Sequence, residues 1–66
     1  MKIVLNGHER EFEAPLTLAE LLDEAGFGER RVAVEVNLHI IPRSRHAEYS
    51  IAAGDRIEIV HAIGGG

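Results

Sequence analysis

The chain closes on HAIGGG, so Gly64, Gly65 and Gly66 precede a terminal carboxylate. Such a carboxylate is ionised at neutral pH and is a poor acceptor for a nucleophile. It becomes reactive once it attacks the α-phosphate of ATP and forms an acyl-adenylate, with pyrophosphate leaving. That step needs Mg²⁺ and cationic groups around the nucleotide. A small chain of net charge −4 does not offer them, so another protein must bring them and take the tail into its own active site. From Ile63 to Gly66 the extended reach is at most about 14 Å. Glycines, having no side chains, thread a narrow channel and let its walls approach the backbone closely. A frayed terminus or a cloning remnant is the plain alternative, and the residues by themselves leave both open.

Other candidate groups form no convincing catalytic set. His8, His39, His46 and His61 share no metal-ligand spacing and have no cysteine beside them; no metal site is expected. Ser44 and Ser50 lie near His46, but proximity in sequence does not make a triad, which is defined by geometry. The stretch GFGERR lacks both the lysine-serine ending of a phosphate loop and the dinucleotide-binding spacing. Its Gly26 and Gly28 read as a helix stop and a turn. Arg30, Arg31, Arg43 and Arg45 form two basic spots, solvated by default or else in contact with a larger acidic partner.

Composition narrows the class. Sixty-six residues make one domain, with 45% hydrophobic and 27% charged residues, a globular balance. The absence of cysteine excludes disulfides and thiolate metal sites and fits a reducing compartment. The apolar run Ile3–Leu5 is far too short for a signal peptide or a membrane span, so a soluble cytoplasmic protein is expected. An acidic chain repels phosphate backbones. Phe12, Phe27 and Tyr49 are too few for a base-stacking platform, and no nucleic-acid role is expected.

The elements that must carry the tail can be read along the chain. Lys2–Asn6 is an apolar, β-branched run, and Asn6-Gly7 predicts a type I′ hairpin turn. Glu9–Glu13 returns with Arg10 and Phe12 on one face and three glutamates on the other, an acidic edge that discourages pairing with other chains. PLTLAELLDEAG predicts a helix. Thr17 caps it and Glu20 completes a capping box, with Leu16 stapled onto Leu21. Leu18, Leu21, Leu22 and Ala25 make its apolar stripe, and Gly26 ends it. In Arg31–Val36, Val32, Val34 and Val36 alternate with Arg31, Ala33 and Glu35, the pattern of a half-buried strand. LHII forms a short strand ended by Pro42. Arg43–Ser50 reads as polar and irregular, Gly54-Asp55 as a turn, and Arg56–His61 as the last strand with Ile57 and Ile59 inward.

One amphipathic helix needs one sheet face to cover it. The arrangement that satisfies every segment is an α+β fold: a mixed sheet crossed by one helix, with first and last strands parallel at its centre. This is the β-grasp, or ubiquitin-like, roll, expected over residues 1–62 with 63–66 as a flexible glycine tail. On the uncovered face Val4 and Val60 should then be neighbours, with Ala33 and Ala62 nearby, making a small apolar patch rimmed by charge. Such a patch is either ordinary exposed aliphatic surface or a docking surface.

Three stretches, LTLAELL, VAVEVNLHIIPRS and GDRIEIVHAIGGG, together resemble the ThiS family, the sulfur carriers of thiamine biosynthesis, across essentially the whole chain. The resemblance implies a carrier and cosubstrate, not an enzyme, with no catalytic residue and no bound cofactor. It implies that a ThiF-like adenylyltransferase uses ATP and Mg²⁺ to adenylate the Gly66 carboxylate. Sulfur drawn from cysteine through a desulfurase then displaces AMP, leaving a thiocarboxylate. A ThiG-like thiazole synthase takes up that sulfur, with Gly64 and Gly65 threading the tail. It is consistent with docking through the sheet face, and Arg43 of the Pro42-Arg43 pair is either a further partner contact or simply the residue that follows a strand-ending proline. The neighbouring readings are a molybdopterin-synthase-type sulfur carrier, a ubiquitin-like modifier joined to lysines, and a passive β-grasp binding module.

Overall fold

A helix of seven residues stays folded only if both its ends and its apolar stripe are looked after. In the computed structural model, which describes residues 1–13, 15–28 and 31–61 (the last by its backbone alone), α1 spans Leu18–Glu24. Thr17 Oγ1 accepts from Glu20 N–H at 3.2 Å while Glu20 Oε1 accepts from Thr17 N–H at 2.8 Å. That is the reciprocal capping box expected from the sequence. At the other end Gly26 adopts φ 90. Phe27 N–H reaches Leu22 C=O at 2.7 Å and Gly26 N–H reaches Asp23 C=O at 3.2 Å. These are the two bonds of a Schellman stop, which a left-handed residue makes possible.

The stripe of α1 is buried against one sheet. Strands β1 (Lys2–Leu5), β2 (His8–Glu11), β4 (Val32–Val36), β5 (His39–Ile40) and β7 (Arg56–His61) form a five-stranded sheet in the order β2-β1-β7-β4-β5. β1 and β7 run parallel and every other neighbour antiparallel. Ile3, Leu5, Val34, Val36, Ile57 and Ile59 meet Leu18, Leu21 and Leu22 in one buried cluster. The strand facings are those expected from the alternation, and Leu16, Ala25, Phe27 and Val32 pack around the cluster. The Asn6-Gly7 turn has φ 50 and 84, the double left-handed geometry that leads β1 into β2.

Two features were not anticipated. The segment read as irregular holds a 3₁₀ turn at Arg43–Arg45 and then β6 (Ser50–Ile51), which pairs with β3 (Leu16–Thr17) in a separate two-stranded ladder. A two-residue strand has no periodicity to read. This segment is also the lid of the helix: Tyr49 C=O accepts from Leu18 N–H and His46 C=O from Ala19 N–H, each at 2.9 Å. With the Thr17 hydroxyl they satisfy the first-turn amides that an α-helix cannot satisfy itself. His46 is buried, and its Nε2 donates to Ile41 C=O at 2.9 Å. It is thus a structural histidine that holds this segment.

The second feature is the hairpin turn between β4 and β5, where Asn37 and Leu38 both adopt positive φ, 51 and 71. Asn37 tolerates that geometry and also uses its side chain. Nδ2 donates to Asp55 Oδ1 at 2.9 Å, and Oδ1 accepts from Arg56 N–H at 3.0 Å. Asp55 Oδ2 in turn accepts from Ala52 N–H at 2.8 Å. The turn is thereby pinned to the start of β7. Asn37→Ala should lower stability by about 2 kcal/mol, from two lost hydrogen bonds and a strained backbone. Asn37→Gly, which keeps the backbone geometry, should lose less. Urea denaturation of both variants measures the difference.

Candidate functional site

The glycine tail, Gly64, Gly65 and Gly66, and the docking candidate Ala62 lie outside the described residues. What can be built is the platform on which the tail begins, β7, and the sheet face around it.

Alternation along the strands places Lys2 and Val4 of β1, Arg56, Glu58 and Val60 of β7, and Ala33 and Glu35 of β4 on the face away from the helix. Ala33 stands directly opposite Val60. Both are exposed, Val60 at 56%. Val4 does not join them. The parallel register pairs Val4 with Arg56, so Val60 lies four residues further along its strand, roughly 13 Å away at the rise of a β-strand. The expectation that Val4 and Val60 are neighbours is corrected on this point: strand order was right, but register sets adjacency. Arg43 is not on this face at all. It borders a cleft of about 170 Å³ with Ala19, Leu22, Phe27, Val32 and His46, on the helix side of β4.

Sequence reasoning overlooked the residues that extend the face at its other margin. Ile40 of β5 is opposite Glu35 and 70% exposed, and Leu38 at the turn is 87% exposed. LHII was read only as a short strand; the missing signal was that an edge hairpin of two-residue arms cannot bury both its aliphatics. Between Ile40 and the Val60–Ala33 pair, Glu35 stands directly opposite Glu58. Like charges at that spacing destabilise a sheet.

No group of histidines, cysteines and carboxylates capable of holding a metal occurs among the described residues. No helix among them is long and apolar enough to cross a membrane. The fold and this face define a class: a β-grasp, ubiquitin-like protein whose last central strand is followed in sequence, after Ala62 and Ile63, by three glycines.

Comparison with known proteins makes the assignment finer. The model of the ThiS family matches residues 3–66, and the chain belongs to that family. It is 52% identical over 66 residues to a thiazole synthase of Paramagnetospirillum magneticum, covering 100% of this chain and 20% of that relative. It therefore spans about a fifth of that protein's length. It is 30% identical to the sulfur carrier protein ThiS of Escherichia coli, covering 100% of both chains. Among solved structures, a thiamine biosynthesis protein (ThiS) of Geobacter metallireducens superposes with a TM-score of 0.87 at 26% identity, covering 100% of each chain.

The geometry separates packing from surface at Val60. Val60→Asp should leave stability within about 0.5 kcal/mol, as for other exposed positions, whereas Ile59→Asp, one residue back and buried, should unfold the domain. Thermal melts of the two variants test the facing of β7. Glu58→Lys should raise stability by a few tenths of a kcal/mol, by turning the pair with Glu35 into an attractive one.

Proposed function

We propose that this chain is the sulfur carrier for thiazole formation in thiamine biosynthesis, with the carboxyl group of Gly66 as its reactive group. The observation that carries the reading is that the match to the family model runs to residue 66 and so includes the terminal glycines. Full-length similarity to a named sulfur carrier supports it.

The chemistry then proceeds on a partner. An adenylyltransferase binds ATP and Mg²⁺, and a Gly66 carboxylate oxygen attacks the α-phosphorus while pyrophosphate leaves. The outer sulfur of a persulfide, which a desulfurase generates from cysteine, attacks the acyl carbon and expels AMP, and a thiol reductant then cleaves the resulting acyl disulfide, leaving as a mixed disulfide. The product is a thiocarboxylate on Gly66. A thiazole synthase accepts the tail and draws the sulfur into the thiazole. The 52% identity to a protein named thiazole synthase, of which the matching part is 20%, supports that partner. Gly64 and Gly65 let the tail enter a narrow site, because no Cβ keeps its walls away. Val60 and Ala33 provide an exposed apolar contact on the strand that precedes the tail in sequence, which supports a role as cosubstrate held by a partner.

Incubation with the adenylyltransferase, ATP, Mg²⁺ and a sulfur source should replace one oxygen by sulfur in the C-terminal fragment, read by mass spectrometry. Fragment assignment is needed because oxidation of Met1 shifts the mass by nearly the same nominal amount. A C-terminal fragment that stays unchanged with a demonstrably active enzyme would overturn the reading. Appending one alanine after Gly66 should abolish adenylation while the melting curve stays unaltered. Val60→Asp should weaken binding to the adenylyltransferase with its fold intact.

A further inference from the structure

Strand β7 outruns its neighbour. It continues to His61, while β1 beside it ends at Leu5 and the chain leaves the sheet through Asn6 and Gly7. The direction of each main-chain group along β7 follows from the bonds at its start. Asn37 N–H donates to Arg56 C=O at 2.8 Å across the β4 ladder. Antiparallel alternation then points the groups of Arg56, Glu58 and Val60 toward β4 and those of Ile57, Ile59 and His61 toward β1. The bonds on the β1 side agree: Asn6 N–H donates to Ile57 C=O at 2.8 Å.

At Ile59 the main-chain ladder gives out. Its N–H donates to the Asn6 side chain, Oδ1, at 2.7 Å, so an amide oxygen stands where a backbone carbonyl would otherwise be. Past Asn6, the C=O of Ile59 and the N–H and C=O of His61 face a side on which no strand lies among the described residues. The opposite side is covered, with Val32 paired to His61. The result is a short free edge on a strand that is otherwise central.

We propose that this edge pairs with an extended main-chain segment of the adenylating enzyme that receives the glycine tail, adding a strand collinear with β1. The proposal rests on the carrier reading above. Two arguments favour this occupant. Gly64, Gly65 and Gly66 offer a partner only amides and a carboxylate, so whatever holds them must use main-chain hydrogen bonds. Strand addition is the mode of recognition built from those bonds. The free edge also lies on the strand that precedes those glycines in sequence, so a segment paired at His61 stands next to the residues the enzyme must receive. A second copy of this chain is the weaker candidate, because an edge of two residues is too short to sustain a sheet between copies.

His61→Pro tests this directly, with His61→Ala as its control. Proline removes the N–H that faces the free edge. That N–H makes no bond to β4, so the existing ladder is kept. Binding of His61→Pro to the adenylyltransferase should weaken by about tenfold or more, the effect of one to two hydrogen bonds, with an unchanged melting curve. His61→Ala should bind within about twofold of the parent chain, since its main chain is the same. Amide exchange at His61 should slow when the parent chain binds the enzyme. If His61→Pro is bound and thiocarboxylated like the parent, the edge proposal is overturned and the carrier reading stands. If the parent chain itself is not thiocarboxylated by an active enzyme, both fall. Should His61→Pro prove unfolded, exchange at His61 in the parent complex decides: protection supports the proposal and an unchanged rate overturns it. A dimer of the free chain with His61 already protected would identify the occupant as a second copy and overturn it.

Discussion

The parallel pairing of β1 with β7 is the contact on which the rest of this molecule depends. Parallel neighbours cannot be joined by a tight turn; they need a crossover. Here nearly the whole chain is that crossover: the β1–β2 hairpin, α1, the β4–β5 hairpin and the segment over the helix all lie between Leu5 and Arg56. Pairing Leu5 with Ile57 brings Ile3 and Leu5 into the same buried layer as Ile57 and Ile59, and α1 has a face to cover only once that layer exists. The same pairing fixes where β1 stops relative to β7, and so which main-chain groups of β7 are covered and which are not.

Two asparagines carry out the terminations. Asn6 and Asn37 sit at turn positions with φ 50 and 51, a geometry asparagine tolerates better than other residues with a Cβ. Each then uses its side chain on β7 from opposite sides. Asn6 accepts from Ile59 N–H, and Asn37 accepts from Arg56 N–H. Replacing either with glycine would satisfy the turn and abandon β7. The positive φ of Leu38 has no such compensation: it is a leucine in a strained conformation with 87% of its surface exposed. Strain of this kind persists only where the surrounding structure holds it in place, and the network of Asn37 with Asp55 and Arg56 next to it is what does so.

The parts of the fold legible in the sequence are those with a local physical signature. Thr17 and Glu20 announce the helix start, Gly26 its stop, and the alternation of Val32, Val34 and Val36 the facing of β4. All of them stand in the structure as read. The β3–β6 ladder was not legible, because its bonds join segments about thirty residues apart, and neither was the role of His46, because its bond to Ile41 C=O belongs to an irregular segment with no periodicity to read. The site shows the same division. Alternation correctly put Val4, Ala33 and Val60 on the face away from the helix. It could not supply the register that separates Val4 from Val60, since side-chain alternation is blind to a slip of two residues. Arg43, a candidate partner contact with no face assigned to it by the sequence, is carried by the chain's path after β5 to the helix side.

A face that keeps Glu35 opposite Glu58 and leaves Val60, Ile40 and Leu38 uncovered is not what stability alone would select. A cross-strand pair of opposite charge, or a threonine in place of each aliphatic, would serve the isolated domain as well or better. Every one of these residues lies on β7 or on the β4–β5 hairpin beside it. The opposite margin is conventional by comparison, with Lys2 opposite Glu11 and an all-exposed β2. The surface least optimised for the free protein is therefore concentrated around the strand that leads to the glycines. That is the distribution expected of a body whose contribution is to be held by another protein while chemistry happens at its end.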